Sequence, residues 1–235
     1  MTRRRWIADE VEGNRAALTG TNAAHLARVL RASIGQEFDI ATGQEIRLGR
    51  VVNVSNDRVD FELGAVVETG RTVHPIKVAL AVFKFDRFEW AVEKCTELGV
   101  AMIVPIIAHR TDSHLAAAAP KRVERWQRIA REASQQSRRE ASPEIAEPLR
   151  LKQYLAEEHS SRRILLAESE QQVFLRDLIS SSADTALAIG PEGGWTNEEV
   201  TLFVDSGWKS ASLGNTILRA ETAAVAAVAI LASTY

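Results

Sequence analysis

Ala188-Ile-Gly-Pro-Glu-Gly-Gly-Trp-Thr-Asn-Glu-Glu199 is the stretch on which the reading of the fold turns. An apolar run, Thr185 to Ile189, leads straight into Gly190-Pro191-Glu192-Gly193-Gly194, and a capped helix starts near Thr196. Strand, glycine loop and helix N-terminus, in that order, form the place where open α/β sheets bind ligands. The loop exposes backbone N–H groups and lets a ligand approach closely. The spacing is neither the Walker pattern nor G-x-G-x-x-G, so phosphate cradling is not indicated. A tight turn that merely needs glycine is the plainer alternative, and five such residues together weigh against it.

Working outward, apolar strands alternate with helical patterns on both sides of this motif. Lys77 to Phe85 reads as a buried strand and Asp86 to Leu98 as an amphipathic helix ending at Gly99. Ala101 to Ala108 reads as a strand that Pro105 should break. A long helix is expected from Pro120 to about Gln136, with Val123, Trp126, Ile129, Ala130 and Ala133 as its apolar stripe. Further on come helices at 151–158, 174–180 and 197–204, strands at 163–167, 185–189 and 210–213, and an apolar helix from about Glu221. This alternation predicts a mostly parallel, doubly wound sheet. The first 70 residues have a different rhythm. A short helix at 22–31, with Asn22 as N-cap, precedes strands at 37–41, 45–54 and 58–63, which suggests a small barrel. Thr69 to Pro75 reads as a linker.

A second glycine-bearing segment, Leu213-Gly-Asn-Thr-Ile-Leu-Arg-Ala-Glu-Thr-Ala223, also joins a strand end to a helix. Arg219 and Glu221 either close a helix start as a pair or place a cation in a cleft. Charge is segregated along the chain. The formal net charge is -2, yet residues 110–139 hold eight basic residues (110, 121, 122, 125, 128, 131, 138 and 139) against three acids. Such segregation builds a positive face on a near-neutral molecule, as either a solvated helix or a phosphate-binding surface. The five histidines show no ligand spacing and the single cysteine, Cys95, cannot build a zinc site, so no metal is expected. One cysteine, no apolar run after the N-terminal arginines and no span of about 20 apolar residues lead to the expectation of a cytoplasmic protein without a membrane partner.

Taken together, Arg4-Arg5-Trp6, His25 with Val29-Leu30-Arg31 and Gly35, Glu89, Lys94, Glu97-Leu98-Gly99-Val100, Trp126 through Gln136, Arg139 and Pro143, Ile189-Gly-Pro-Glu-Gly-Gly194, and Leu213-Gly214 with Leu218-Arg219 and Glu221-Thr222-Ala223 resemble the RsmE-type 16S rRNA (uracil-N3)-methyltransferases of the SPOUT superfamily. The resemblance spans essentially the whole chain. It implies a PUA-like β-barrel over residues 1–72 and a SPOUT α/β domain over 73–235 with a deep trefoil knot, a topology that ordinary rules of chain connection would exclude. It implies S-adenosyl-L-methionine as methyl donor, N3 of uridine 1498 in the 16S rRNA of the small ribosomal subunit as acceptor, and a homodimer.

Carried over residue by residue, the donor would be held by Leu166, Ile189, Gly190, Pro191, Glu192, Gly193, Gly194, Leu213, Gly214, Ile217 and Leu218. Arg219 and Glu221 would be catalytic, and Arg4, Arg28, Arg31, Arg110, Arg138 and Arg139 would contact RNA. Three positions depart from the pattern. Arg138 stands where the family usually has glycine, Ala141 where an arginine is frequent, and Asn215-Thr216 where Pro-Arg or x-Arg is common. Two other readings stay open: a SPOUT enzyme acting at another RNA site, and a non-catalytic PUA-like ribosome-assembly protein that binds RNA.

Overall fold

The computed structural model describes residues 4–43, 45–69, 75–179 and 184–233. The chain divides into two compact units: residues 1–72 together with 134–142, and residues 73–133 together with 143–235.

The first unit contains β1 (Arg5–Ile7), β2 (Glu10–Glu12), β3 (Arg15–Thr19), α1 (Gly20–Ala24), a π-helical turn (His25–Val29), β4 (Glu37–Ala41), β5 (Glu45–Val54) and β6 (Arg58–Thr69). The strands form one sheet in the order β1-β4-β5-β6-β3-β2. Its two edge strands, β1 and β2, are separated by Ala8 and Asp9 alone. A flat six-stranded sheet would hold its edges roughly 24 Å apart at about 4.8 Å per strand. Three virtual bonds of about 3.8 Å cannot span that distance, so the sheet must curl. Register shifts between β5 and β6 near Ile46, Arg47 and Val51 supply local coiling. Gly49 lets the curled strands close up, since a Cβ there would collide with the Ile40 side chain. Trp6, Leu18, Leu26, Phe38, Ile40, Val59 and Phe61 fill the interior.

The short helix differs from the sequence reading. It begins at Gly20 with Thr19 rather than Asn22 at the cap, and then widens into the π turn. Ala23 and Leu26 are both fully buried, and that burial sets the phase of the segment. β1, β2 and β3 are not legible in the sequence: β1 and β2 have three residues each, too few to show a period, and β3 buries Ala16, Ala17 and Leu18 in succession and so shows no alternation. β6 runs six residues past its expected end. Residues 70–74 of the expected linker lie outside the described residues.

The second unit is a parallel sheet built from β7 (Ile76–Ala81), β8 (Met102–Ile107), β9 (Glu144–Ile145), β10 (Leu149–Arg150), β11 (Arg162–Leu166), β12 (Thr185–Ile189) and β13 (Lys209–Ala211). The helices are α2 (Phe85–Glu97), α3 (Ser113–Ala118), α4 (Val123–Gln136), α5 (Leu151–Glu157), α6 (Asn197–Asp205) and α7 (Ala220–Ala232). The strand order is β10-β8-β7-β12-β11-β13, with β9 beside β8. Both sheet faces are covered, which is why β7 and β12 read as continuous apolar runs. On one face Val78, Leu80, Ile103, Ile164 and Leu187 pack with Phe88, Trp126 and Val228 of α2, α4 and α7. On the other, Ala79, Ala81, Ala186 and Ala188 leave room for Tyr154, Trp195, Phe203 and Trp208. Phe203 packs edgewise at 5.0 Å from both Trp195 and Trp208.

Two expectations are corrected here. Pro105 does not break β8. Ile103 uses its carbonyl toward β9, and Ile106 uses its own toward β7, so residue 105 turns its nitrogen to the β9–β10 side. β9 pairs only at 102–103 and β10 only at 106–107, so the missing N–H falls in the gap between them. The expected helix at 174–180 is a single 3-10 turn, Leu175–Leu178. Val173 and Leu175 pair with Ser212 through the backbone at its start, and Ile179 returns to extended backbone at its end (φ -84, ψ 127), so the turn does not propagate. No helix among the described residues is long and apolar enough to cross a membrane.

Candidate active site

β11, β12 and β13 are neighbours in the sheet, and their carboxyl ends open onto one cavity of about 680 Å³. The segments 166–171 after β11, 189–195 after β12 and 211–218 after β13 line it, with Asn197 and Val200 of α6 and Ala220 and Ala223 of α7. Arg110, in the turn after β8, reaches it as well. The volume lies within the ~300–1,000 Å³ of small-molecule sites, and the position at strand ends is where open α/β sheets take ligands.

The glycine loop is shaped by several fixed contacts. Gly194 has φ +71 and donates its N–H to the Pro191 carbonyl at 2.8 Å. A Cβ on Gly190 would lie 3.1 Å from the Trp195 indole nitrogen, so glycine at that position admits the ring. The Arg110 guanidinium donates to the Gly193 carbonyl. Beyond the loop, Thr196 and Glu199 form a reciprocal cap at the start of α6. The buried Glu199 carboxylate accepts from Thr196 N–H at 2.9 Å with one oxygen and from His109 N–H at 2.7 Å with the other. One side chain thus ties the turn after β8 to the loop after β12. In the segment after β13, Gly214 has φ +146 and Ile217 is 81% exposed.

All eleven residues expected at the donor line this cavity. Arg219 and Glu221 are not on its lining, although Ala220 between them and Ala223 after them are. Arg219 is the exposed N-cap residue of α7, and Glu221, in the first turn, is buried. Arg87 of α2 lies between the two segments, with Nη1 2.7 Å from Glu192 Oε1 and Nε 3.8 Å from Glu221 Oε1. Of the residues expected at RNA, Arg110 is engaged with the glycine loop. Arg4, Arg28 and Arg31 are exposed in the first unit, Arg31 with φ +52. Arg138 and Arg139 belong to the first unit too. Burial pulls the Arg139 guanidinium down to about 10. Sequence reasoning missed Glu168 to Gln171, Asn197, Val200 and Ser212 on the lining, as well as Arg87. None of these carries a local pattern, although Arg87 opens the amphipathic helix that was read.

A family model for the RNA methyltransferase domain matches residues 71–232. The ribosomal RNA small subunit methyltransferase E of Synechocystis sp. is 33% identical over 218 residues, covering 90% of this chain and 71% of that protein. The chain belongs to the ribosomal RNA small subunit methyltransferase E family. As a member it is an RNA methyltransferase, and its architecture agrees with solved relatives. A methyltransferase from Legionella pneumophila, solved with bound S-adenosylmethionine, is 29% identical with a TM-score of 0.87, covering 99% of this chain and 98% of that one. The ribosomal RNA small subunit methyltransferase E of Neisseria gonorrhoeae, solved with the same molecule, is 26% identical with a TM-score of 0.83, and coverage is again 99% and 98%. The sequence resemblance to this family is therefore upheld.

Proposed function

We propose that the protein transfers a methyl group from S-adenosyl-L-methionine to N3 of a uridine in 16S rRNA within the small ribosomal subunit, at the position corresponding to uridine 1498. The observation that carries this reading is the cavity at the ends of β11, β12 and β13, in a chain of this family. The residues fit an adenosyl sulfonium ligand. The lining mixes apolar side chains (Leu166, Ile189, Leu213, Leu218) with loop backbone, and the Trp195 indole N–H on it has no partner among the described residues. When bound, the donor supplies an electrophilic methyl group. The chain's own residues do the rest. Leu166, Ile189 to Gly194, Leu213, Gly214, Ile217 and Leu218 hold the donor and fix its orientation for in-line attack. N3 of uracil must lose its proton to attack, and charge builds on the ring. Arg219 stabilises that charge, being always protonated and rich in donors. Glu221 serves this arrangement from the same helix start, and electrostatic stabilisation rather than a dedicated base is the main contribution.

On this reading residues 1–72 are a PUA-like RNA-binding barrel and 73–235 a SPOUT domain whose C-terminal segments thread a trefoil knot. The enzyme works as a cytoplasmic homodimer. Arg4, Arg28, Arg31, Arg110, Arg138 and Arg139 contribute to holding rRNA phosphates.

The test uses small subunits from cells lacking the modification, incubated with the protein and S-adenosylmethionine, with digested rRNA read by mass spectrometry. A new 3-methyluridine at the expected position supports the proposal. Donor binding without that product would mean another RNA target, and neither would mean a non-catalytic RNA-binding protein. Arg219→Ala should abolish methyl transfer while leaving donor affinity, measured by calorimetry, within a few-fold.

A further inference from the structure

We infer that Arg87 is a positioning residue that couples donor binding to the catalytic helix start through two separate carboxylates. This rests on the donor-cavity reading above and adds to it a residue outside the cavity lining. Arg87 sits in the first turn of α2 and touches one residue from each of two segments that are far apart in sequence. Its Nη1 donates to Glu192 of the glycine loop at 2.7 Å, and its Nε lies 3.8 Å from Glu221 of α7. The two carboxylates differ in what they govern. Glu192 is on the cavity wall, and its loop is held elsewhere by Gly194 and Arg110. Glu221 is two residues past Arg219, so restraining it restrains the backbone that aims Arg219.

Burial makes the arrangement necessary. The Glu221 side chain is 11% exposed, and its Oε2 has no hydrogen-bond partner among the described residues. Arg87 is its one ion-pair partner among the described residues. A buried carboxylate without a counter-charge is costly, so Arg87 holds Glu221 in place by supplying one. The Glu192 side chain is 38% exposed and has the closer contact with Arg87. That ion pair restrains a loop that solvent would otherwise compete for. A guanidinium can serve both carboxylates at once because its donors lie in a planar fork; an ammonium is a single point charge on a flexible stem.

The kinetic parameters separate the two arms. Glu192→Ala should raise KM for the donor about fivefold and weaken S-adenosylhomocysteine binding equally, with kcat little changed. Glu221→Ala should lower kcat with the donor affinity near that of the wild type. Arg87→Ala should do both, and adding Glu192→Ala to it should weaken binding no further. Arg87→Lys should restore one parameter and not the other. Arg125→Ala, which removes a bidentate ion pair to Glu89 on the same helix, is the control for lost surface charge and should change neither. A melting temperature lowered by Arg87→Ala, with KM and kcat at wild-type values, would overturn the inference. So would additive losses in the Arg87/Glu192 pair of variants. If the wild-type protein binds no S-adenosylhomocysteine in calorimetry, it is the donor-cavity reading that fails, and that result is distinct from either of these.

Discussion

Replacing Arg138 by glycine should make this protein more stable, although it removes a charged side chain and adds no contact. Helix α4 ends at Gln136, and Arg138 follows with φ +59. The Arg138 N–H donates to the Gln135 carbonyl at 3.3 Å, and the Arg139 N–H reaches back to the Ser134 carbonyl at 2.9 Å. These two bonds are the Schellman pattern of a helix C-terminus, whose left-handed position glycine fills in most helices. The Arg138 guanidinium has no hydrogen-bond or ion-pair partner among the described residues, and its backbone carbonyl accepts from Arg5 at 2.5 Å, a bond that glycine would keep. The left-handed conformation costs an L-residue about 1–2 kcal/mol. Glycine returns about 0.5–1 kcal/mol of this through its greater loss of chain entropy. The net gain is therefore about 0.5–1 kcal/mol, or roughly 1–4 °C in melting temperature for a chain of this length. Urea unfolding of Arg138→Gly, Arg138→Asn and Arg138→Ala provides the measurement. The expected order is glycine most stable, asparagine next, and alanine no better than the parent, since alanine keeps the strain. If alanine stabilised as much as glycine, charge would be responsible and the backbone argument would be wrong. The same variants separate stability from function. If Arg138 contacts an rRNA phosphate, Arg138→Gly should also shallow the salt dependence of rRNA binding by about one ion.

Gly190→Ala should lower stability by about 1–3 kcal/mol through overpacking and weaken donor binding in calorimetry, because the added methyl meets the Trp195 ring at 3.1–3.3 Å. Combining it with Trp195→Phe should recover part of both losses, and no recovery would show that the clash is not the cause. Burial pushes the Cys95 thiol up to about 12, from an ordinary value of 9.0. Its folded-state value is the higher one, so the stability it contributes is complete below pH 9 and is lost as pH rises from 9 toward 12, at up to about 1.4 kcal/mol per pH unit. Urea midpoints at pH 8, 9.5 and 10.5 should fall for the parent and fall less for Cys95→Ala. Iodoacetamide should leave the native thiol unmodified at pH 8.

The strand–glycine loop–helix at 185–199 and the second segment at 213–223 were legible in the sequence, because glycine marks the turn in each and Thr196 with Glu199 caps the helix in the first. The alternation around them pointed to the parallel sheet, while the eleven donor residues came from the family resemblance, and the folded chain gathers them around one cavity. The apolar stripe of α4 was legible as well, because the helical period reports which face is covered. The sequence could not place Arg87 beside Glu192 and Glu221, which lie 105 and 134 positions away, since nothing local marks such a pair. Nor could it show that Glu199 reaches back to His109, that Pro105 falls in the gap between β9 and β10, or that Ser212 takes the backbone bonds of 173–175. Local pattern determined which elements form and which residues cap them. The bonding of buried backbone and the pairing of buried charge were decided only when the folded chain brought distant groups together, because those groups find their partners across the structure and not along the sequence.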